Sequence, residues 1–161
     1  MSYRATYLLF FILALNGCTN KGTPDLPGDW QAYSTQMFSF QGPPGLQKQN
    51  VHGIGSYLGQ FKAPGIDLNF DYGPYADPLE DSKRNQEGYS VQFTKVDGRN
   101  ARIVSYADNK ASDGLQYCAG IHFAGTGDRD NKLTVIVRCK GKEDLARLHQ
   151  LLRTIRLGDP Q

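Results

Sequence analysis

The residues with the greatest chemical capacity crowd into one stretch, Asp71 to Asp81 (DYGPYADPLED). Asp71 and Asp77, backed by Glu80 and Asp81, could divide general acid and general base work if their surroundings split their pKa values. The same carboxylates could supply oxygen to a hard cation. Tyr72 and Tyr75 would add an aromatic wall. Asp71, Tyr72, Tyr75 and Asp77 therefore form the candidate binding surface. A solvated loop leading to a short helix at Pro78, capped by Asp77, accounts for these residues without chemistry, and the spacing lacks the EF-hand pattern. Turn formation explains Asp128, Asp130 and Asn131 in the same way.

Elsewhere the chemical inventory is thin. His52, His122 and His149 have no partner at the helical spacing that metal ligation favours, so no metal site and no cofactor is expected. Gly53, Gly55, Ser56 and Gly59 only approximate a phosphate-cradling loop, since no GK[ST] follows, and no Ser sits in a GxSxG elbow. No catalytic residue is assigned. The 18 Lys and Arg against 16 Asp and Glu give a formal charge of +2 without a basic block, which excludes the electrostatic footprint of a nucleic-acid binder. A single long apolar run excludes a polytopic membrane protein.

The 161 residues fit one domain, and 18 Gly with nine Tyr and eight Phe favour strands and turns. From Met37 onward the dominant period is two. Met37, Phe38 and Phe40 form a short run ended by Gly42, Pro43 and Pro44. Ser56 to Lys62 is a weaker strand. Ile66, Leu68, Phe70 and Tyr72 alternate cleanly with Asp67, Asn69 and Asp71, so one face of that strand must meet a core. Val91 and Phe93 lead through Val96, Asp97, Gly98 and Arg99 to Ala101, Ile103 and Val104, and Asp-Gly between two such runs suits a type I′ hairpin. Leu115 to Ala124 and Leu133 to Cys139 form a second hairpin around Gly125 to Asn131, apolar on both faces and so covered on both sides. Leu145, Leu148, Leu152 and Ile155 then recur at three and four residues, which predicts an amphipathic helix over Lys142 to Leu157. Glu143 and Asp144 in its first turn and Arg153 and Arg156 in its last complement the macrodipole, and Gly158 and Pro160 stop it. The expected fold is α+β, an antiparallel sheet with a C-terminal amphipathic helix packed on it.

The N-terminus is a leader. Tyr7 to Leu15 (YLLFFILAL) is unbroken apolar and aromatic sequence behind Arg4, too short to cross roughly 30 Å of hydrocarbon but suited to an export signal. Leu15, Asn16, Gly17 and Cys18 resemble the lipobox of bacterial lipoproteins. That resemblance implies cleavage before Cys18, lipidation of its thiol, and anchorage to the membrane through the lipid. In Gram-negative members Thr19 in place of Asp after the Cys implies the periplasmic face of the outer membrane. Thr19 to Asp29 (TNKGTPDLPGD), broken by Pro24, Pro27 and Gly28, reads as a tether. The expected organisation is a leader over 1–17, lipidated Cys and tether over 18–33, and one α+β domain over 34–158.

An exported chain with Cys18 acylated keeps two cysteines in an oxidising compartment, Cys118 and Cys139, on the two arms of one hairpin. If Ala124 faces Leu133 and His122 faces Val135, Cys118 faces Cys139. A disulfide between them is expected, worth about 3 kcal/mol by the chain-entropy argument. Two buried thiols acting as small hydrophobes are the alternative.

The second half of the chain, from Tyr89 through the Asp97-Gly98 hairpin, the Leu133 to Cys139 strand and the final helix, resembles the PsbP/DcrB-type α-β-α sandwich in layout. The resemblance implies a non-enzymatic envelope or assembly protein. The expected function is a lipid-anchored envelope module that binds another envelope protein or an envelope component. The alternative is a small periplasmic or cell-wall hydrolase using carboxylates of the Asp71 to Asp81 loop. Converging acids in a closed apolar pocket would favour the enzyme, and scattered acids the binder. A small-ligand carrier would require a cavity.

Overall fold

The clean alternation of Ile66 to Tyr72 builds the centre of the molecule. In the computed structural model, which describes residues 26–80, 83–128 and 130–158, this segment is strand β5 (Ile66–Gly73). The chain order around it is β1 (Gln31–Ser34), β2 (Phe38–Gly42), β3 (Gln47–Gln49), β4 (Tyr57–Ala63), β5, β6 (Glu87–Val96), β7 (Arg99–Ala107), β8 (Tyr117–Phe123), β9 (Lys132–Cys139), helix α1 (Leu145–Arg153) and β10 (Arg156–Leu157). Seven strands form one antiparallel sheet in the order β3-β4-β5-β9-β8-β7-β6, and β1-β2-β10 form a second, small sheet. The expected α+β class is what the chain adopts. The leader, Cys18, the start of the tether, Asp81 and Pro160 lie outside the described residues. Among the described residues no helix is long and apolar enough to cross a membrane.

Side-chain alternation divides the large sheet into two faces. Leu68, Phe70, Ile121, Phe123, Leu133, Val135 and Val137 point to one side and are almost wholly buried. Over β8 and β9 that side is covered by α1 through Leu148, Leu151 and Leu152. Over β4 and β5 it is covered by the small sheet: Phe38 meets Phe70 edge-on at 5.1 Å and Phe40 meets Phe61 at 5.4 Å, while Tyr33 stacks on Phe40 at 5.3 Å. Such aromatic pairs add to the stabilisation that burial already gives.

Several expected boundaries move. Strand β1 places the fold's start at Gln31, inside the segment read as tether, because Tyr33 packs on the core and its hydroxyl donates to the Pro43 carbonyl at 2.7 Å. The helix is shorter than its periodicity. Lys142–Asp144 is a 3-10 turn, α1 ends at Arg153, and Arg156 and Leu157 pair as a strand with Ser39 and Phe38. Thr154 causes the stop: its hydroxyl donates to the Leu151 carbonyl at 2.6 Å and accepts the Gln41 amide at 2.8 Å, fastening the helix end to β2. The Asp97-Gly98 hairpin forms as expected, with φ of 53° and 72° at its two central residues and Val96 opposite Arg99.

The predicted helix at Pro78 does not form. Asp77 Oδ1 instead accepts the Leu79 amide at 2.8 Å, and Leu79 takes a φ of 53°. This local turn competes successfully with a helix that would have had only Leu79 to bury. The segment 76–80 runs as a strap over the second face of the sheet, with Leu79 Cδ1 lying over Gly120, 2.9 Å from where a side chain there would begin. A strap thus occupies the face that an α-β-α sandwich covers with a helix.

Candidate functional site

The second face carries Asp67, Asn69 and Asp71 from β5, Thr134 and Ile136 from β9, His122 from β8 and Arg102 from β7, as the strand registers require. The strap crosses it and leaves an open groove on each side. The larger, about 640 Å³, is lined by Pro78, Glu80, Phe93, Lys95, Arg102 and His122. The smaller, about 390 Å³, is lined by Val51, Leu58, Asp71, Asp77, Thr134 and Ile136 among others.

A hydrogen-bond relay ties the strap to the sheet between the grooves. The Thr134 hydroxyl donates to the Asp77 carbonyl at 2.6 Å, and His122 Nδ1 lies 2.8 Å from the same hydroxyl oxygen. A hydroxyl has one proton, already committed to Asp77, so His122 donates from Nδ1 and its Nε2 is an acceptor. Burial, then the nearby charges of Lys132 and Arg102, hold the His122 pKa below the ordinary value, which keeps the ring neutral. Burial also lowers His149, helped by Arg153. For both groups the unfolded chain binds a proton before the folded one does. Stability from them is therefore complete above about pH 6.5 and is lost as pH falls below that value towards the folded pKa values. His122→Asn, which can still donate to Thr134, is expected to flatten the decline of Tm between neutral and mildly acidic pH. An unchanged slope in a thermal-melt series would refute this.

The four residues of the candidate surface do not act together. Asp71 and Asp77 do share the smaller groove, but Asp77 uses one carboxylate oxygen to hold the Leu79 amide. Tyr72, one residue on in a strand, points into the core, where its hydroxyl lies 3.2 Å from Thr126 Oγ1 and donates to Asp128 Oδ2 at 3.1 Å. Burial raises its pKa. Tyr75 stands 86% exposed in a turn and touches neither groove. Among the described residues no group of three or more His, Cys, Asp or Glu is placed to hold a metal ion. The His122-Thr134 relay was invisible in sequence, since it joins residues across two strands. The alternation around Phe93 gives no sign that its ring is exposed.

The expected disulfide does not form, and both thiols are free and buried. The pairing of β8 with β9 is offset by one residue from the expected one: Tyr117 faces Cys139 and Cys118 faces Arg138. A slip of one residue turns a side chain to the opposite face. Cys139 consequently sits in the core, its thiol donating to the Gly141 carbonyl at 3.2 Å, whereas Cys118 faces the strap side opposite Tyr106. Burial, reinforced by the Asp144 charge, pushes Cys139 up to about 11, and burial raises Cys118 as well, so neither is an activated nucleophile. The spacing of Gly53, Gly55 and Gly59 also finds a structural reason at its last position, where the Phe70 ring lies directly over Gly59.

Comparison with protein-family models finds no match, and comparison with curated protein sequences finds none either. Among solved structures, the solution structure of cyanobacterial PsbP (CyanoP) from Synechocystis sp. PCC 6803 is similar at a TM-score of 0.56 and 11% sequence identity, over 89% of this chain and 99% of that one. The chain has a PsbP-like fold.

Proposed function

We propose that this chain is a lipid-anchored accessory protein of the cell envelope. In this reading Cys18 carries the lipid, the following polar segment holds the domain clear of the periplasmic face of the outer membrane, and the domain recruits a partner protein without performing catalysis. The observation that carries the binding role is Phe93, 78% exposed on an edge strand whose backbone, among the described strands, pairs with β7 alone. An exposed aromatic beside unpaired backbone suits strand addition by a partner. The bulge between Glu87 and Ser90 blunts only the start of β6, leaving the regular stretch around Phe93 open. Arg102, its guanidinium 6.0 Å from the Phe93 ring centroid, and Lys95 complete an amphipathic rim on the larger groove. The PsbP-like fold supports the accessory role. Of the carboxylates a hydrolase would use, Asp77 gives one oxygen to the Leu79 amide, and the groove it shares with Asp71 is open.

Two measurements test the reading. Cys18→Ser is expected to release the exported protein from the membrane fraction into the soluble one. A photo-crosslinking residue at position 93 is expected to yield a discrete adduct in native envelopes, while one at the equally exposed position 75 yields none. Retention of Cys18→Ser with membranes, or silence at position 93, would overturn it.

A further inference from the structure

The end of the sheet where β4 begins and β5 finishes carries an apolar tip. Tyr57 pairs with Tyr72 there, and a Cβ added at Gly73 would stand 2.8 Å from Ser56 Oγ, so the loop before β4 and the turn after β5 lie side by side. The base of the loop is packed, since a Cβ at Gly53 would stand 2.6 Å from Leu58 Cγ. Its crest is not. Ile54 is fully exposed, and Tyr75 in the adjoining turn is nearly so. Neither 50–59 nor 73–76 contains a Lys, Arg, Asp or Glu. A charge-free crest that offers an aliphatic side chain beside an aromatic one with a polar end matches an apolar surface bordered by polar groups.

The course of the chain identifies that surface. Leu26 shares a cavity with Ser39 and Gln41 of the small sheet, the layer that covers β4 and β5. With the lipid on Cys18, as proposed above, the eight residues from Thr19 to Leu26 allow at most about 28 Å between anchor and domain. The half of the molecule tied to the bilayer is therefore the half that ends in this tip. Phe93 lies on the far edge of the sheet, four strands from β5 and roughly 19 Å across, clear of the bilayer for a partner. We propose that the tip seats on the bilayer, with Ile54 entering the boundary of the acyl chains and the Tyr75 ring lying among the headgroups. This choice of occupant rests on the anchor reading. Two side chains hold a bilayer weakly by themselves, and the tether supplies the effective concentration that keeps them there. The contact orients the domain without retaining a chain that lacks its lipid.

The test uses the full chain purified from membranes and reconstituted in nanodiscs of phosphatidylethanolamine and phosphatidylglycerol, with a fraction of the lipid spin-labelled near its headgroup. Ile66 serves as the reference, half-buried at the other end of β5, about 23 Å along the strand from Gly73. Paramagnetic broadening of the Ile54 methyl resonance is expected to exceed that of Ile66 by at least about ten-fold, because it falls steeply with distance and the two ends are a strand length apart. Joint replacement Ile54→Ser and Tyr75→Ser, at two exposed positions, is expected to leave Tm unchanged and to bring the broadening of Val51, in the same loop, down to that of Ile66. In native envelopes a photo-crosslinking residue at position 54 is expected to gain the mass of a phospholipid. Equal broadening at Ile54 and Ile66, or a discrete protein adduct at position 54, overturns the inference. Fractionation of Cys18→Ser reports on the anchor and the Ile54 resonance on the tip, so failure of either is read separately from failure of the other.

Discussion

Gly59→Ala is expected to destabilise the domain by about 3 kcal/mol, at the upper end of what overpacking a core costs. Gly59 faces the core from β4, directly opposite Phe70 on β5. A Cβ added there would stand 2.0 Å from Phe70 Cζ and 2.1 Å from Cε1, so the ring has to leave. It has nowhere inexpensive to go, because Phe38 abuts it edge-on at 5.1 Å and Tyr57 lies against it at 5.4 Å. Displacing Phe70 would therefore loosen the aromatic cluster that holds the small sheet on the large one. Urea unfolding would report a lower midpoint with an unchanged m-value. Phe70→Leu in the same chain should recover part of the loss, since the shorter side chain makes room, and the double-mutant cycle would then show strong coupling. The hairpin glycine Gly98 provides the contrast. It has φ of 72° and nothing within 4 Å of an added Cβ, so Gly98→Ala strains only the backbone and should cost about 1 kcal/mol. Equal losses at the two positions would refute the packing argument.

Local patterns revealed those parts of this fold whose conformation is decided locally. The alternation of Ile66 to Tyr72 announced both faces of β5, and Asp97-Gly98 announced its turn because few other dipeptides accept two positive φ values. Strands β1 and β10 left no such trace: β1 is a short, mostly exposed arm of a local hairpin with β2, and β10 is shorter still and exists through pairing with β2 far along the chain. The register of β8 on β9 was set by the path of the 124–131 loop, where Thr126 bonds Asn131 through both amide and hydroxyl. Spacing alone could not count the residues absorbed there. At the candidate site, the same alternation that turns Asp71 to the groove turns Tyr72 away from it, so Tyr72 could have been rejected from β5 alone. The convergence of Asp71, Asp77 and Thr134 required the strap, whose course depends on Leu79 finding space over Gly120.

Arg138→Met is expected to cost about 2–3 kcal/mol, less than the loss typical of a fully buried broken pair because the Arg138 side chain is 28% exposed. Arg138 Nη2 donates to Asp67 Oδ2 at 2.8 Å, and the Asp67 side chain is only 5% exposed. Burial works against the charge of Arg138, yet the hydrogen bond to Asp67 and the charges of Asp113 and Asp67 hold its pKa above the ordinary value. Methionine keeps much of the aliphatic packing and removes the charge, which leaves Asp67 with two amide donors and no counterion. An anion stranded in this way is the source of the cost. Asp67→Asn in the Arg138→Met chain should therefore restore part of the stability, an outcome that a purely steric role for Arg138 would not produce. Arg138 also pairs with Asp113 at 2.8 Å, but that carboxylate is 45% exposed, and Asp113→Ala should shift the unfolding midpoint far less than Arg138→Met. Salt separates the two contributions further. High ionic strength should erase the small effect of Asp113→Ala while leaving the difference between Arg138→Met and the parent chain largely intact, because screening ions do not reach a side chain as enclosed as Asp67.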